Sequence, residues 1–230
     1  HYPSGLTPEE IFAEHQRFAR MHAPAAFANT VFANEPVPGR RLRVGYLSPD
    51  IRVHSVAFFL EALLDHHDHA GFELYCYAAV KTPDAVTQRL RAKFDVFRSV
   101  VDLPPKHVAR LIHEDGIDIL VDLAGHAGNE WLQVLAYKPA PLQVTWLGYP
   151  DTTGLPTVDY RLTDWEADPA GADQFYVERL VRLPRGFLCY RPPDDAPAPG
   201  PAPVLARGHV TFGSFNREFK ISRHAWDLWG

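Results

Sequence analysis

Short, nearly unbroken apolar runs recur along this chain, most with helix-like stretches between them. The runs fall at residues 43–47, 72–78, 117–121, 142–146, 158–162 and 179–183. The stretches at 56–64, 84–93, 105–114 and 130–137 suit helices. In the third of these Val108, Leu111 and Ile112 share one face and Gly116 ends the helix; the fourth stops before Pro139. Strands that are apolar at every position belong to sheets covered on both faces, and strands alternating with helices build parallel sheets. The expectation is therefore a doubly wound, Rossmann-like α/β domain over residues 41–190. No internal repeat is visible.

The flanks read differently. Thr7-Pro8-Glu9-Glu10 is a helix start, with Thr7 as N-cap, Pro8 at the first helical position and Glu10 completing a capping box. Ile11, His15, Phe18 and His22 then fall on one stripe, so residues 1–40 read as a helical adapter closing in a Pro/Gly connector at 34–40. Residues 191–208 hold six prolines and read as a semi-rigid linker. A fresh strand is expected at 209–214 and a helix at 221–229, the start of a second α/β domain over 209–230. The chain starts and stops mid-pattern and reads as a piece of a longer protein.

With 230 residues and 46% hydrophobic content, the chain can bury one full core. A net charge of −5 gives no basic field of the kind nucleic-acid binding needs. No apolar run approaches the roughly 18 residues of a membrane span, and no signal peptide is visible. Cys76 and Cys189 lie in apolar, strand-like runs and read as reduced core residues, which points to a cytoplasmic protein.

In open α/β sheets ligands bind beyond the carboxyl ends of the strands, which singles out four loops. Ser48-Pro49-Asp50-Ile51-Arg52-Val53-His54 leaves the first strand and enters a helix, whose N-terminal amides favour anions. There His54 can accept or polarise a hydroxyl proton and Asp50 can orient it; the same residues also suit a capping aspartate and a surface histidine. Gly125-His126-Ala127-Gly128 follows the 117–121 strand, and His126 can line the cleft. In the loop from Trp146 to Gly154, Gly148 permits close backbone approach and Tyr149 can stack on a sugar, or the segment is simply a packed turn. Finally, Lys220 in Phe215-Asn216-Arg217-Glu218-Phe219-Lys220 can neutralise a departing diphosphate, although a lone lysine there also reads as a surface charge. The run Asp65-His66-His67-Asp68-His69 matches no standard zinc spacing, and neither G-x-G-x-x-G nor G-x-S-x-G occurs.

Taken in order, these segments resemble the O-linked N-acetylglucosamine transferase family. The resemblance rests on Arg43-Val44-Gly45-Tyr46-Leu47-Ser48-Pro49-Asp50 with His54, on 72–77, on 112–123, and on Pro139-Ala140-Pro141-Leu142-Gln143-Val144. Its most specific element is Trp146-Leu147-Gly148-Tyr149-Pro150 followed by Thr-x-Gly; Asp159-Tyr160, Thr163-Asp164, Phe215-Asn216 and Lys220 complete it. It implies a GT-B architecture, a UDP-N-acetylglucosamine donor, serine or threonine acceptors on proteins, inversion at the sugar carbon, and no metal ion. It also implies tetratricopeptide repeats before the catalytic region and a partner in that region's C-terminal half. Residue by residue, His54 and Asp50 match the catalytic first loop and Lys220 the lysine that meets the diphosphate. Leu147, Gly148 and Tyr149 match a loop near the donor sugar. Arg217 stands where some relatives have glutamine, and Ser55 where animal members have proline. His15 matches a second active-site histidine or, on its apolar stripe, a core residue. A nucleotide-sugar epimerase on the same architecture and a non-catalytic binding module remain the alternatives.

Overall fold

The computed structural model describes residues 5–22, 31–193 and 195–230. They form two compact units, residues 12–191 and residues 192–230 with 1–11. The larger unit holds seven strands: β1 (Leu42–Ser48), β2 (Phe72–Ala78), β3 (Val96–Ser99), β4 (Ile119–Asp122), β5 (Leu142–Thr145), β6 (Tyr160–Thr163) and β7 (Arg179–Arg182). They form one sheet in the order β3-β2-β1-β4-β5-β6-β7. Every pairing is parallel. The strand order reverses between β1 and β4, where open sheets of this kind leave a crevice at their carboxyl edge.

Both faces are covered, as the apolar runs require. Leu74, Cys76 and Ala78 of β2 pack into one apolar cluster with Val44 and Tyr46 of β1. The helices α2 (Ser55–Leu64) and α3 (Ala85–Arg91) contribute Val56, Leu60, Val86 and Leu90 to it. The alternate residues Tyr75 and Tyr77 join the opposite cluster with Val108 and Ile112 of α4 (Pro105–Glu114) and Leu132 and Leu135 of α5 (Leu132–Ala136). Ala19 of the amino-terminal helix α1 (Pro8–His22) joins that second cluster. The expected start of α1 is present: Glu10 N donates to Thr7 Oγ1 at 3.3 Å and Thr7 N to Glu10 Oε2 at 2.8 Å. Gly116 ends α4 at φ 64°.

The structure departs from the sequence reading in several places. Strand β3 was not legible: it is four residues long, sits at the sheet edge, and carries the polar pair Arg98 and Ser99. The stretch read as a helix from 130 is a 3-10 turn, Gly125–Trp131, leading into the five-residue α5. The chain must turn back at once over the end of β4, which a tighter helix achieves. Phe187 to Tyr190 is irregular rather than a strand; Cys189 is half-buried and its thiol donates to the carbonyl of Phe59 at 3.3 Å.

In the smaller unit, residues 209–214 form no strand. A strand exists only by pairing, and among the described residues none pairs there. That segment instead exposes Phe212, as the next one exposes Phe215. Within the expected linker, α6 (Val204–Arg207) forms a single turn capped by Gly208 at φ 72°. Helix α7 (Arg223–Trp229) is capped by Ser222, whose Oγ accepts from Ala225 N at 3.2 Å.

The histidine-rich run 65–69 is held in local structure. Asp65 pairs with Arg191 at 3.0 Å, His67 Nε2 meets Tyr46 OH at 3.1 Å, and His69 Nδ1 lies 3.5 Å from Asp95. Burial and the neighbouring His69 hold the His67 pKa below its usual value. Among the described residues no cluster of three His, Cys, Asp or Glu side chains could hold a metal, and no helix is long and apolar enough to cross a membrane.

Candidate active site

Three loops leave the carboxyl ends of the adjacent strands β1, β4 and β5, and they carry most of the residues singled out in the sequence. The β1 loop holds itself in place. Asp50 N donates to Ser48 Oγ at 3.0 Å, Arg52 pairs with Asp50 at 3.1 Å, and Val53 N donates to Asp84 at 2.7 Å. His54 is the N-cap of α2: its Nδ1 accepts from Val56 N at 3.3 Å, and Asp50 Oδ2 lies 3.7 Å from the same nitrogen. Asp50 and His54 are thus brought together as the sequence suggested. Because Nδ1 gives its lone pair to the helix cap, the neutral ring carries its proton on Nε2. The imidazole remains 37% exposed, so it can present an N–H donor to solvent or ligand.

The β4 loop is organised by a buried acid. Asp122, 1% exposed, accepts from Ala124 N at 3.1 Å, Gly125 N at 2.9 Å and Thr145 Oγ1 at 2.9 Å. Burial pushes its pKa above the usual carboxylate range, the nearby charge of Glu178 adds to the rise, and the three donors oppose it. Gly125, at φ 51°, lies against Tyr149: a Cβ there would stand 2.5 Å from the Tyr149 Cβ. Gly128 lies as close to Ala124.

The β5 loop is the most constrained. Gly148 N donates to Trp146 O at 3.0 Å, closing a three-residue turn that forces Leu147 to φ 76°. Such a turn is strained for a residue with a side chain, at a cost of about 1–3 kcal/mol. A Cβ on Gly148 would fall inside the carbonyl of Leu123, so only glycine fits there. The buried guanidinium of Arg161 donates to Tyr149 O at 2.8 Å and lies 3.3 Å from Asp168. Glu178, 4% exposed, takes hydrogen bonds from Thr152 Oγ1 at 2.6 Å, Thr153 N at 2.8 Å and Thr153 Oγ1.

Two histidines meet this loop. His15 of α1, 4% exposed, shares a hydrogen bond of 2.9 Å between Nε2 and Tyr149 OH. The His126 ring stands edge-on to His15, centroids 4.8 Å apart, and its Nε2 lies 2.9 Å from Thr153 O. His126 and Tyr149 are 5.1 Å apart by centroid. His15, His126 and Tyr149 therefore form one cluster from α1 and the loops after β4 and β5, in which His15 is both buried and polar-bonded. The sequence reading missed Asp122, Arg161 and Glu178. Their only signal is a charged residue beside an apolar run, which singles out neither burial nor a partner. Arg217 and Lys220 belong to the smaller unit, where Lys220 ends an exposed 3-10 turn, Glu218–Lys220.

A seven-stranded parallel sheet with histidine-bearing loops at its switch point defines a Rossmann-like half of a GT-B-type protein, and the comparisons with known proteins narrow it. Residues 17–191 match the model of glycosyl transferase family 41, and the chain belongs to that family. It is 44% identical over 227 residues to a tomato (Solanum lycopersicum) protein named probable UDP-N-acetylglucosamine–peptide N-acetylglucosaminyltransferase SPINDLY, covering 97% of this chain and 24% of the relative. To a protein of the same name in Arabidopsis thaliana it is 45% identical, over 96% of this chain and 25% of the relative. The Arabidopsis protein named SEC is 29% identical over 83% of this chain and 20% of its own length. A solved O-GlcNAc transferase from Thermobaculum terrenum, a lysine-to-methionine mutant, superimposes with a TM-score of 0.93 at 41% identity. That match covers all of this chain and 43% of the other. The chain thus spans about a quarter of the length of the curated relatives it matches.

Proposed function

We propose that this chain supplies the first catalytic half of an inverting glycosyltransferase that moves N-acetylglucosamine from UDP-N-acetylglucosamine to serine or threonine hydroxyls of proteins. The observation that carries this reading is the likeness, over the whole chain, to a solved O-GlcNAc transferase. The acceptor oxygen attacks the anomeric carbon from the face opposite the UDP; the carbon–oxygen bond to UDP breaks and the acceptor proton leaves to a base. His54, donating from Nε2 at the rim of the β1 loop, orients a substrate oxygen. Leu147, Gly148 and Tyr149 border the sugar, with His126 and His15 behind Tyr149. Lys220, with Arg217 beside it, meets charge on the departing diphosphate, so the reaction needs no metal cofactor. The C-terminal half of the catalytic region completes the donor site, tetratricopeptide repeats precede α1, and the protein works in the cytoplasm, where Cys76 and Cys189 stay reduced.

The test is a transfer assay with the intact protein, UDP-N-acetylglucosamine beside other UDP- and GDP-linked sugars, and a mixed protein extract. Sugar appearing on protein from UDP-N-acetylglucosamine, and lost in His54→Ala, supports the reading. Consumption of the donor with no protein acceptor, or transfer only from another nucleotide sugar, overturns it.

A further inference from the structure

Glu178 lies in a place that stability alone does not explain. It sits just before β7, carries a carboxylate at 4% exposure, and among the described residues no lysine, arginine or histidine pairs with it. Burying a carboxylate without a cation is strongly unfavourable unless hydrogen bonds replace its water. All of its side-chain hydrogen bonds come from two consecutive loop residues, Thr152 and Thr153.

Those two threonines pass the constraint on. Thr152 Oγ1 accepts from Gly154 N at 3.1 Å and from Val177 N at 3.3 Å, and Thr153 Oγ1 accepts from Leu155 N at 3.1 Å. The carbonyl of Thr153 meets His126 Nε2 at 2.9 Å. Gly154, at φ 73°, is pressed against the carbonyl of His15, where no side chain would fit. One buried carboxylate thus sets the register of the β5 loop against His126, in the turn after β4, and against α1. Tyr149, three residues upstream, is held by the same two histidines.

We propose that Glu178 is a positioning residue for the sugar-binding loop: it acts through Thr152 and Thr153 to fix His126, and with it Tyr149, at the distance the reaction needs. The proposal rests on the transferase reading for its kinetic consequence but not for its structural one. Glu178→Gln keeps the volume and turns one oxygen into an NH2 group that faces a donor, either Thr153 N or the Thr152 hydroxyl. Thr152→Val removes one bond to the carboxylate together with the acceptor for Gly154 N and Val177 N, and is the second variant if Glu178→Gln does not fold, read at 146–151 rather than at Gly154.

In the intact protein, each variant is measured in three ways. UDP titration gives the affinity and the fraction of competent sites; amide hydrogen exchange follows residues 146–155; turnover follows sugar transfer. The expected result is faster exchange confined to 146–155, UDP affinity and site fraction unchanged within about twofold, and kcat lowered about tenfold to a hundredfold, the scale of a misplacement near 1 Å. A loss of UDP-competent sites in step with activity would reduce Glu178 to a structural role and overturn the proposal, as would unchanged exchange in the loop. If the unmodified protein transfers no sugar, the transferase reading fails, and the exchange measurement still decides whether Glu178 orders the loop.

Discussion

The β1 loop and the β5 loop reach the same edge of the sheet by opposite means. The β1 loop is held largely by bonds within a few residues of itself, with longer ties from Val53 to Asp84 and from the Thr87 hydroxyl to the carbonyl of Ile51, and His54 caps the helix that follows it. The β5 loop is held from outside, by Arg161 of β6, Glu178 ahead of β7, His126 of the turn after β4 and His15 of α1. A side chain on the first loop can therefore change with local consequences, whereas the second loop is one piece with the core. On the proposed reading the difference separates chemistry from placement: the exposed histidine sits on the more locally built loop, and the tyrosine and glycine proposed to border the sugar sit on the braced one.

The largest effect should come from Gly148→Ala, whose new Cβ collides with the Leu123 carbonyl and forces β4 and β5 loops apart. Loss of the cooperative melt or of soluble protein is expected, and a melting temperature within a few degrees of the parent would break the contrast. Arg161→Met comes next. It removes the guanidinium that donates to the carbonyl of Tyr149 and, among the described residues, leaves the Asp168 carboxylate with hydroxyl partners, Tyr176 at 2.6 Å and Thr163. Breaking a buried pair in this way costs about 3–5 kcal/mol, or roughly 10 °C in a domain of this size.

A pH series sharpens the comparison further. Asp122 has a raised pKa in the folded state, chiefly from burial, so its stabilising contribution is full below the ordinary carboxylate range. It is lost as pH rises through the higher folded value. Asp122→Asn keeps Oδ1 as the acceptor for Ala124 N and Gly125 N, each at 3.1 Å, and puts an NH2 group against the Thr145 hydroxyl in place of the second oxygen. Its melting temperature, relative to the parent, should therefore climb as pH is raised from 4 toward 8; a constant difference would show that Asp122 does not titrate. The smallest effect on stability belongs to His54→Ala, which loses one helix cap worth about 1 kcal/mol. Its effect on transfer should be far larger, and His54→Gln, whose amide still donates, should keep more activity than the alanine variant. Equal loss in both would assign His54 to proton removal instead.

The same contrast explains what could be read from the sequence. The sheet, β3 apart, was legible because its strands lie in apolar runs and the helices between them carry starts or stops, such as Thr7 with Glu10 or Gly116. Asp50 and His54 were legible because their partners are local. The 3-10 turn after β4 was not, since it follows from Gly125 and Gly128 fitting against Tyr149 and Ala124, residues known only once the fold exists. Asp122, Arg161 and Glu178 escaped for the same reason: each is a charge whose burial and partners are set by strands distant in sequence. The strand expected at 209–214 failed because apolar patterning describes a strand's faces and says nothing of a neighbour to pair with.

The order of strands also bears on how the chain is made. During synthesis β1, β2 and β3 emerge first and can pair at once, but the other side of β1 must wait for β4, which follows α4. Until Val44 finds Ile119 and Leu47 finds Asp122, the middle of the future sheet is an open apolar edge. Such an edge is a template for pairing with another nascent chain, and parallel sheets close it slowly. β1, an inner strand of the finished sheet, is thus an open edge while the molecule is being built, so truncations ending before residue 119 should aggregate where longer ones remain dispersed.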